Sequence, residues 1–135
     1  MDEVAADASV IAKWFKTDGE ANVGEAQLLR QRFLSGALVL VVPPLLFLEL
    51  INTAARRWRW PAVRLDALAS DLVRLPFAVR EPRLEAVAHW CGHGLAAYDA
   101  SYVAVAAQRG VPLITTDEEV LAAAGGLARP LSGYR

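Results

Sequence analysis

Apolar and polar positions follow one another in short blocks along the chain, and their periods predict strands interleaved with helices. Residues 4–6 form a brief apolar run of buried-strand type, and residues 9–15 begin a helix that gives way to a polar turn over 17–20. Residues 21–34 carry a helical period with Gly36 as its stop. Residues 38–42 are an apolar, valine-rich strand, after which Pro43 and Pro44 end the strand and open a helix running toward Arg59. A helix over 61–75, a short strand over 77–79 and a helix over 82–91 closed by Gly92 and Gly94 come next. Residues 100–108 read as an apolar helix stopped by Gly110, and residues 112–115 as a strand. A last helix follows Asp117 and stops at Gly125. Strands alternating with helices imply a parallel sheet covered on both faces, so the predicted class is α/β.

Length and composition narrow this picture. With 135 residues, 55% of them apolar, the chain can fill one hydrophobic core. No repeat, low-complexity tract or long polar linker divides it, so one domain over 1–135 is expected. The single cysteine, Cys91, excludes an intrachain disulfide, and the N-terminus lacks the order of a signal peptide, which makes the cytoplasm the expected compartment. The most hydrophobic stretch, residues 37–51, is broken by Pro43, Pro44 and Glu49 and is shorter than the roughly 20 residues a membrane span needs. No membrane span is expected. A net charge of −1 argues against a broadly electropositive nucleic-acid coat, though an enzyme that gathers positive charge as bound metal is compatible with it.

The acids are placed informatively. Asp7 and Asp117 each follow a predicted strand, and in open α/β sheets ligands bind outside the carboxyl ends of the strands. Asp99 stands at the start of a helix that is otherwise nearly uncharged. Each aspartate also suits a helix N-cap, although Thr116 with Glu119 makes a capping-box pattern that would free Asp117 for another task. Glu49 lies inside the most apolar segment, where an unpaired charge is costly. On a helix it shares a polar stripe with Asn52, Thr53 and Arg56, which must face water or a polar cleft. Carboxylates brought together repel unless a cation lies among them, and such hard oxygen donors suit Mg²⁺ or Mn²⁺. Mg²⁺ shares its coordination with phosphate, which points toward phosphodiester chemistry.

Two other patterns offer chemistry. His89, Cys91 and His93 are spaced so that one helix face cannot present all three, and no fourth zinc ligand accompanies them. The run Arg56-Arg57-Trp58-Arg59-Trp60 interleaves cations with aromatics. It reads either as an RNA-binding edge formed by Arg56, Arg57 and Arg59, or as a cationic helix end with tryptophans at a core or dimer face.

Four pieces taken together carry a family resemblance: Asp7-Ala-Ser9 after the first strand, Glu49-Leu-Ile-Asn52 after the Pro-rich turn, Tyr98-Asp99-Ala-Ser-Tyr102, and Thr115-Thr116-Asp117 after the last strand. In order and spacing the chain resembles the PIN-domain ribonucleases, and among them the VapC-type toxins of toxin–antitoxin pairs. The resemblance implies a PIN-like α/β/α sandwich with a central parallel sheet and a Mg²⁺-dependent endoribonuclease, with Mn²⁺ as a substitute. It also implies a homodimer, an RNA substrate and a small antitoxin partner. Carried over by position, Asp7, Glu49, Asp99 and Asp117 are the metal-binding and catalytic acids, supported by Ser9, Asn52, Thr115 and Thr116. An RNA-processing nuclease without an antitoxin is the alternative of the same fold, and a non-catalytic metal-binding module like a phosphorelay receiver is another. The receiver pattern is departed from, because it needs an acidic pair after the first strand and a late lysine, whereas the only lysines are Lys13 and Lys16. A haloacid-dehalogenase pattern would need an aspartate where Ser9 stands.

Overall fold

A computed structural model describes residues 2–135, so of the expected domain only residue 1 lies outside the described residues. Among them are five strands and seven α-helices: β1 (Asp2–Ala6), α1 (Ala8–Ile11), α2 (Val23–Leu34), β2 (Leu38–Val42), α3 (Leu45–Arg56), α4 (Ala62–Arg74), β3 (Ala78–Val79), α5 (Leu84–Cys91), α6 (Ala97–Arg109), β4 (Leu113–Thr115), α7 (Glu118–Ala124) and β5 (Ala128–Pro130). The α/β sandwich expected from the alternating pattern is present, its sheet parallel throughout in the order β3-β2-β1-β4-β5.

That order reverses direction at β1. With the right-handed crossovers that parallel sheets adopt, α1 to α4 cover one face and α5 to α7 the other. Strand β2 is buried almost end to end and β1 over its last three residues, as strands covered on both faces must be. Helix α6 packs against β1, β2 and β4, and its residues from Ala100 to Ala106 are all buried, so its alanines let the helix sit close to the sheet. On the opposite side Trp14, Phe33 and Phe77 stack, with Phe33 and Phe77 centroids 4.8 Å apart, and Phe47 meets Phe77 edge-on at 5.8 Å. The buried Trp14 Nε1 donates to the Ala26 carbonyl at 2.9 Å, so the indole joins this cluster without an orphaned donor.

Three expectations shift. The helix predicted over 100–108 begins earlier, at Ala97, which puts Asp99 inside its first turn. The helix predicted to run to Arg59 stops at Arg56, and Arg59 itself adopts a left-handed φ of 57°. The edge strand β5 has no counterpart in the sequence reading, because Ala128-Arg-Pro130 is short, partly exposed and ends in a proline that supports only an edge.

Candidate active site

Parallel strands deliver their carboxyl ends to one side of the sheet, and the reversal between β1 and β4 opens a crevice there. Asp7 follows β1 directly, and Asp117 lies two residues beyond the end of β4. Together with Glu49 from α3 and Asp99 from α6 they line one cleft of about 320 Å³. Four acids well separated along the chain therefore share one cleft lining. Glu20, Lys13 and Arg57 line it too, so five carboxylates against two cations leave the cleft a formal charge of −3.

The strand ends are braced by two hydroxyls. Ser9 Oγ donates to Asp7 Oδ1 and accepts from the Thr116 backbone N–H at 3.2 Å. The fully buried Thr115 Oγ1 donates to Asp7 Oδ2 and accepts from the Asp117 N–H at 3.0 Å. Ser9 and Thr115 tie the β1 end to the β4 end and orient Asp7, and Thr116 contributes its backbone N–H. Asn52 does not join them. It is exposed and absent from the cleft lining.

The polar stripe on α3 is displaced from its predicted register. Leu46, Leu50 and Ala54 face the core, and the residues one position earlier in each later turn, Glu49, Thr53 and Arg57, face the cleft. Arg56 and Arg59, like Asn52, are exposed outside it. Glu49 accepts a hydrogen bond of 2.5 Å from the hydroxyl of Tyr102, which is buried in α6. Tyr102 received no role from the sequence, although its spacing of three from Asp99 puts both on one helix face. Lys13, whose Nζ binds Glu20 Oε1 at 2.9 Å, was also missed, since a pairing across a polar turn leaves no periodic signal.

Capping is divided among the aspartates. Asp7 caps α1 through Ser9 N–H, and Asp117 Oδ1 caps α7 by accepting from the N–H groups of Glu119 and Val120 at 2.9 and 3.4 Å. The capping-box argument that would release Asp117 is therefore wrong. The Asp117 N–H is held by Thr115, which orients the aspartate itself to cap, while its Oδ2 accepts no protein hydrogen bond among the described residues. Asp99 caps nothing and has no hydrogen-bonded partner among the described residues.

Burial raises the Asp7 pKa to about 6 despite the hydroxyl donors, and the nearby Asp99 adds to the rise. Asp99 is raised as well, by burial first and then by Asp117, Glu49 and Glu119. Tyr102 is pushed up by burial and by its bond to Glu49, so it remains a proton donor toward that carboxylate. Burial first, and then neighbouring carboxylates, disfavour charge on Asp7 and Asp99, and the all-oxygen donor set with free lone pairs on Asp99 and Asp117 fits a hard divalent cation. Among the described residues no group of three or more acids, histidines or cysteines is placed to hold a metal ion. Mg²⁺ does not require one, because it is usually held by one or two carboxylates and keeps several waters.

A family model described as PIN domain matches residues 4–126. Among solved structures, PAE2754 from Pyrobaculum aerophilum is similar over 98% of this chain and 93% of its own, with 28% identity and a TM-score of 0.65. FitAcB from Neisseria gonorrhoeae is similar over 98% and 99%, with 17% identity and a TM-score of 0.70. VapC20 from Mycobacterium tuberculosis, described as a sarcin–ricin loop cleaving toxin, is similar over 89% and 94%, with 18% identity and a TM-score of 0.65. Among curated proteins none matches the chain significantly.

Proposed function

The chain belongs to the PIN domain family, whose members are generally nucleases, and on that premise we propose that it is a Mg²⁺-dependent endoribonuclease acting as the toxin of a toxin–antitoxin pair. One observation carries the reading: Asp7, Glu49, Asp99 and Asp117, from four separate elements or their ends, line a single cleft at the β1/β4 switch point. A Mg²⁺ or Mn²⁺ held by these acids supplies Lewis acidity toward a phosphodiester and its attacking water.

The chain's own residues prepare that chemistry. Ser9 and Thr115 fix the Asp7 carboxylate, Tyr102 fixes Glu49, and the cap bonds on Oδ1 leave Asp117 Oδ2 without a protein hydrogen bond among the described residues. Ser9, the serine of the cleft lining, donates its hydroxyl to Asp7 and serves as a brace, so in this reading water attacks and no protein nucleophile is needed. The toxin assignment is supported by the likeness to VapC20, a toxin by its description, and by the order of the four motifs. In this reading the protein works in the cytoplasm as a homodimer, and a small antitoxin inhibits it by placing an arginine against the acids, a pairing that guanidinium geometry favours.

The test is to incubate the purified protein with structured and unstructured RNAs in Mg²⁺ or EDTA and to map the cuts. Cleavage in Mg²⁺ alone that disappears in Asp99→Asn, with the mutant's circular dichroism unchanged, is expected. Equal cleavage by the mutant, or cleavage in EDTA, defeats the four-acid site.

A further inference from the structure

The acid cleft poses an electrostatic problem for a polyanionic substrate, because its lining is negative and the whole chain carries only −1. A divalent ion offsets charge at the reacting phosphate, yet the flanking nucleotides still need a hold. Of the two cations in the lining, Lys13 is buried and bound to Glu20. Arg57 is exposed, and its guanidinium makes no hydrogen bond or ion pair with another described residue. It stands on the same helical row as Glu49 and Thr53, two turns along from the glutamate.

Beside it in the cleft lining is Trp58. This indole is half-buried and backed by Trp60 at 5.0 Å with a 46° tilt, and Trp60 is covered in turn by the Arg64 guanidinium 3.8 Å from its ring. The backbone fixes this arrangement. The N–H groups of Arg57 and Trp58 both donate to the Thr53 carbonyl, at 2.9 and 3.1 Å, and Trp60 N–H donates to Ala54 at 3.0 Å. Between the two tryptophans Arg59 takes its left-handed φ of 57°, a conformation that costs a non-glycine residue energy and recurs where a turn serves a site. Arg64, Trp60 and Trp58 thus form a prearranged chain of π contacts whose last member, Trp58, lines the cleft beside an unpaired guanidinium.

We propose that Arg57 and Trp58 form a nucleotide subsite at the mouth of the acid cleft, where Trp58 stacks on a base of an unpaired strand and Arg57 binds a phosphate flanking the scissile one. The proposal rests on the nuclease reading and adds to it the two residues that hold a flanking nucleotide: bases within a paired helix cannot offer a face to Trp58, whereas a loop or single strand can. Arg56 and Arg59, exposed outside the cleft, take no part. An acidic polypeptide would also satisfy Arg57, but it would make no use of a flat indole platform.

The experiment measures fluorescence anisotropy of labelled oligoadenylate of about ten nucleotides, and of an abasic ribose-phosphate strand of equal length, on the intact chain in Ca²⁺, over a salt series. A gel confirms that the probe stays whole. Wild type should bind oligoadenylate about tenfold more tightly than the abasic strand, and Trp58→Leu should remove most of that difference while leaving abasic binding nearly unchanged. Arg57→Gln should weaken both probes alike and lower the slope of log affinity against log salt by about 0.7. Because Trp58 also packs on the core, Trp58→Phe accompanies it, retaining a ring and an intermediate affinity. If the probes bind but all three variants match wild type, or Trp58→Leu weakens both probes equally, the subsite is overturned and the nuclease reading stands. If neither probe binds the wild-type protein, the nuclease reading falls and takes the subsite with it.

Discussion

Asp7 holds the sharpest conflict between burial and charge. Its folded pKa is about 6 against a usual 3.8, so below the lower value both folded and unfolded chains carry the proton and no penalty exists. As pH rises between the two values the unfolded chain loses its proton first, so stability falls, and it levels off above about 6. The gap corresponds to roughly 3 kcal/mol, without discount for screening because the group is buried. Metal-free protein should therefore lose urea resistance on passing from about pH 4 to pH 7, and Asp7→Asn should flatten that decline. An unchanged decline in the mutant would show that another group causes it. Tyr102 invites a complementary substitution: Tyr102→Phe keeps the buried ring but removes the donor to Glu49. A stability loss of about 1 kcal/mol is expected, together with weaker Mn²⁺ binding, measured as a smaller melting shift at equal metal concentration. Unchanged Mn²⁺ binding would leave the bond a packing detail.

Helices and strand ends contribute by the directions they impose. Helix α3 shows three surfaces: Leu46, Leu50 and Ala54 to the core, Glu49, Thr53 and Arg57 to the acid cleft, and Phe47 and Ile51 to an apolar groove shared with α4 and β3. Helix α6 ends at Gly110, whose φ of 72° is open to glycine and costly to others, with empty space where a Cβ would go. Gly110→Ala should cost about 1–2 kcal/mol through the backbone alone and leave metal binding unchanged, because the site lies at the other end of the helix. Thr115→Val is predicted to differ. It removes the donor to Asp7 and the acceptor for Asp117 N–H, so a loss of about 1–3 kcal/mol should come with weaker Mn²⁺ binding. Thermal melts with and without Mn²⁺ separate the two outcomes, and equal metal shifts in both mutants would refute the bracing role.

Across the molecule, the aromatic cluster and the acid cleft trade stability against chemistry. Trp14, Phe33, Phe47 and Phe77 tie α2, α3 and β3 together on the face that also carries the α3 acid. The cleft opposes compaction by crowding like charges, and a bound cation should reverse this. Mn²⁺ at ten times its dissociation constant should add about 1.4 kcal/mol, a melting shift of roughly 3 to 6 °C for a domain this size. Asp99→Asn should raise the metal-free melting temperature and shrink the shift, since Asp99 loses its repulsion from Asp117 and Glu49 without losing any hydrogen bond. A mutant that melts lower without metal, with an equal Mn²⁺ shift, would mark Asp99 as structural.

Local periodicity was enough to place β2 at Leu38–Val42 and to stop α6 and α7 at Gly110 and Gly125, because strand alternation, helix period and glycine's left-handed backbone act over a few neighbours. The four acids drew notice for equally local reasons: Asp7 and Asp117 follow strands, Asp99 opens a nearly uncharged helix, and Glu49 stands amid leucines. The short edge strand β5 left no such trace, since its pairing with β4 comes from the sheet and not from its own residues. The partners were equally hidden. That Tyr102 would hold Glu49, and that Arg57 rather than Asn52 or Arg56 would turn into the cleft, depend on how α3 rotates against α6, while the Lys13–Glu20 pair depends on how the polar turn between them folds back. A helical row fixes only which residues share a face; the direction of that face is set by packing across the sheet, between segments whose separation in sequence carries no period to read.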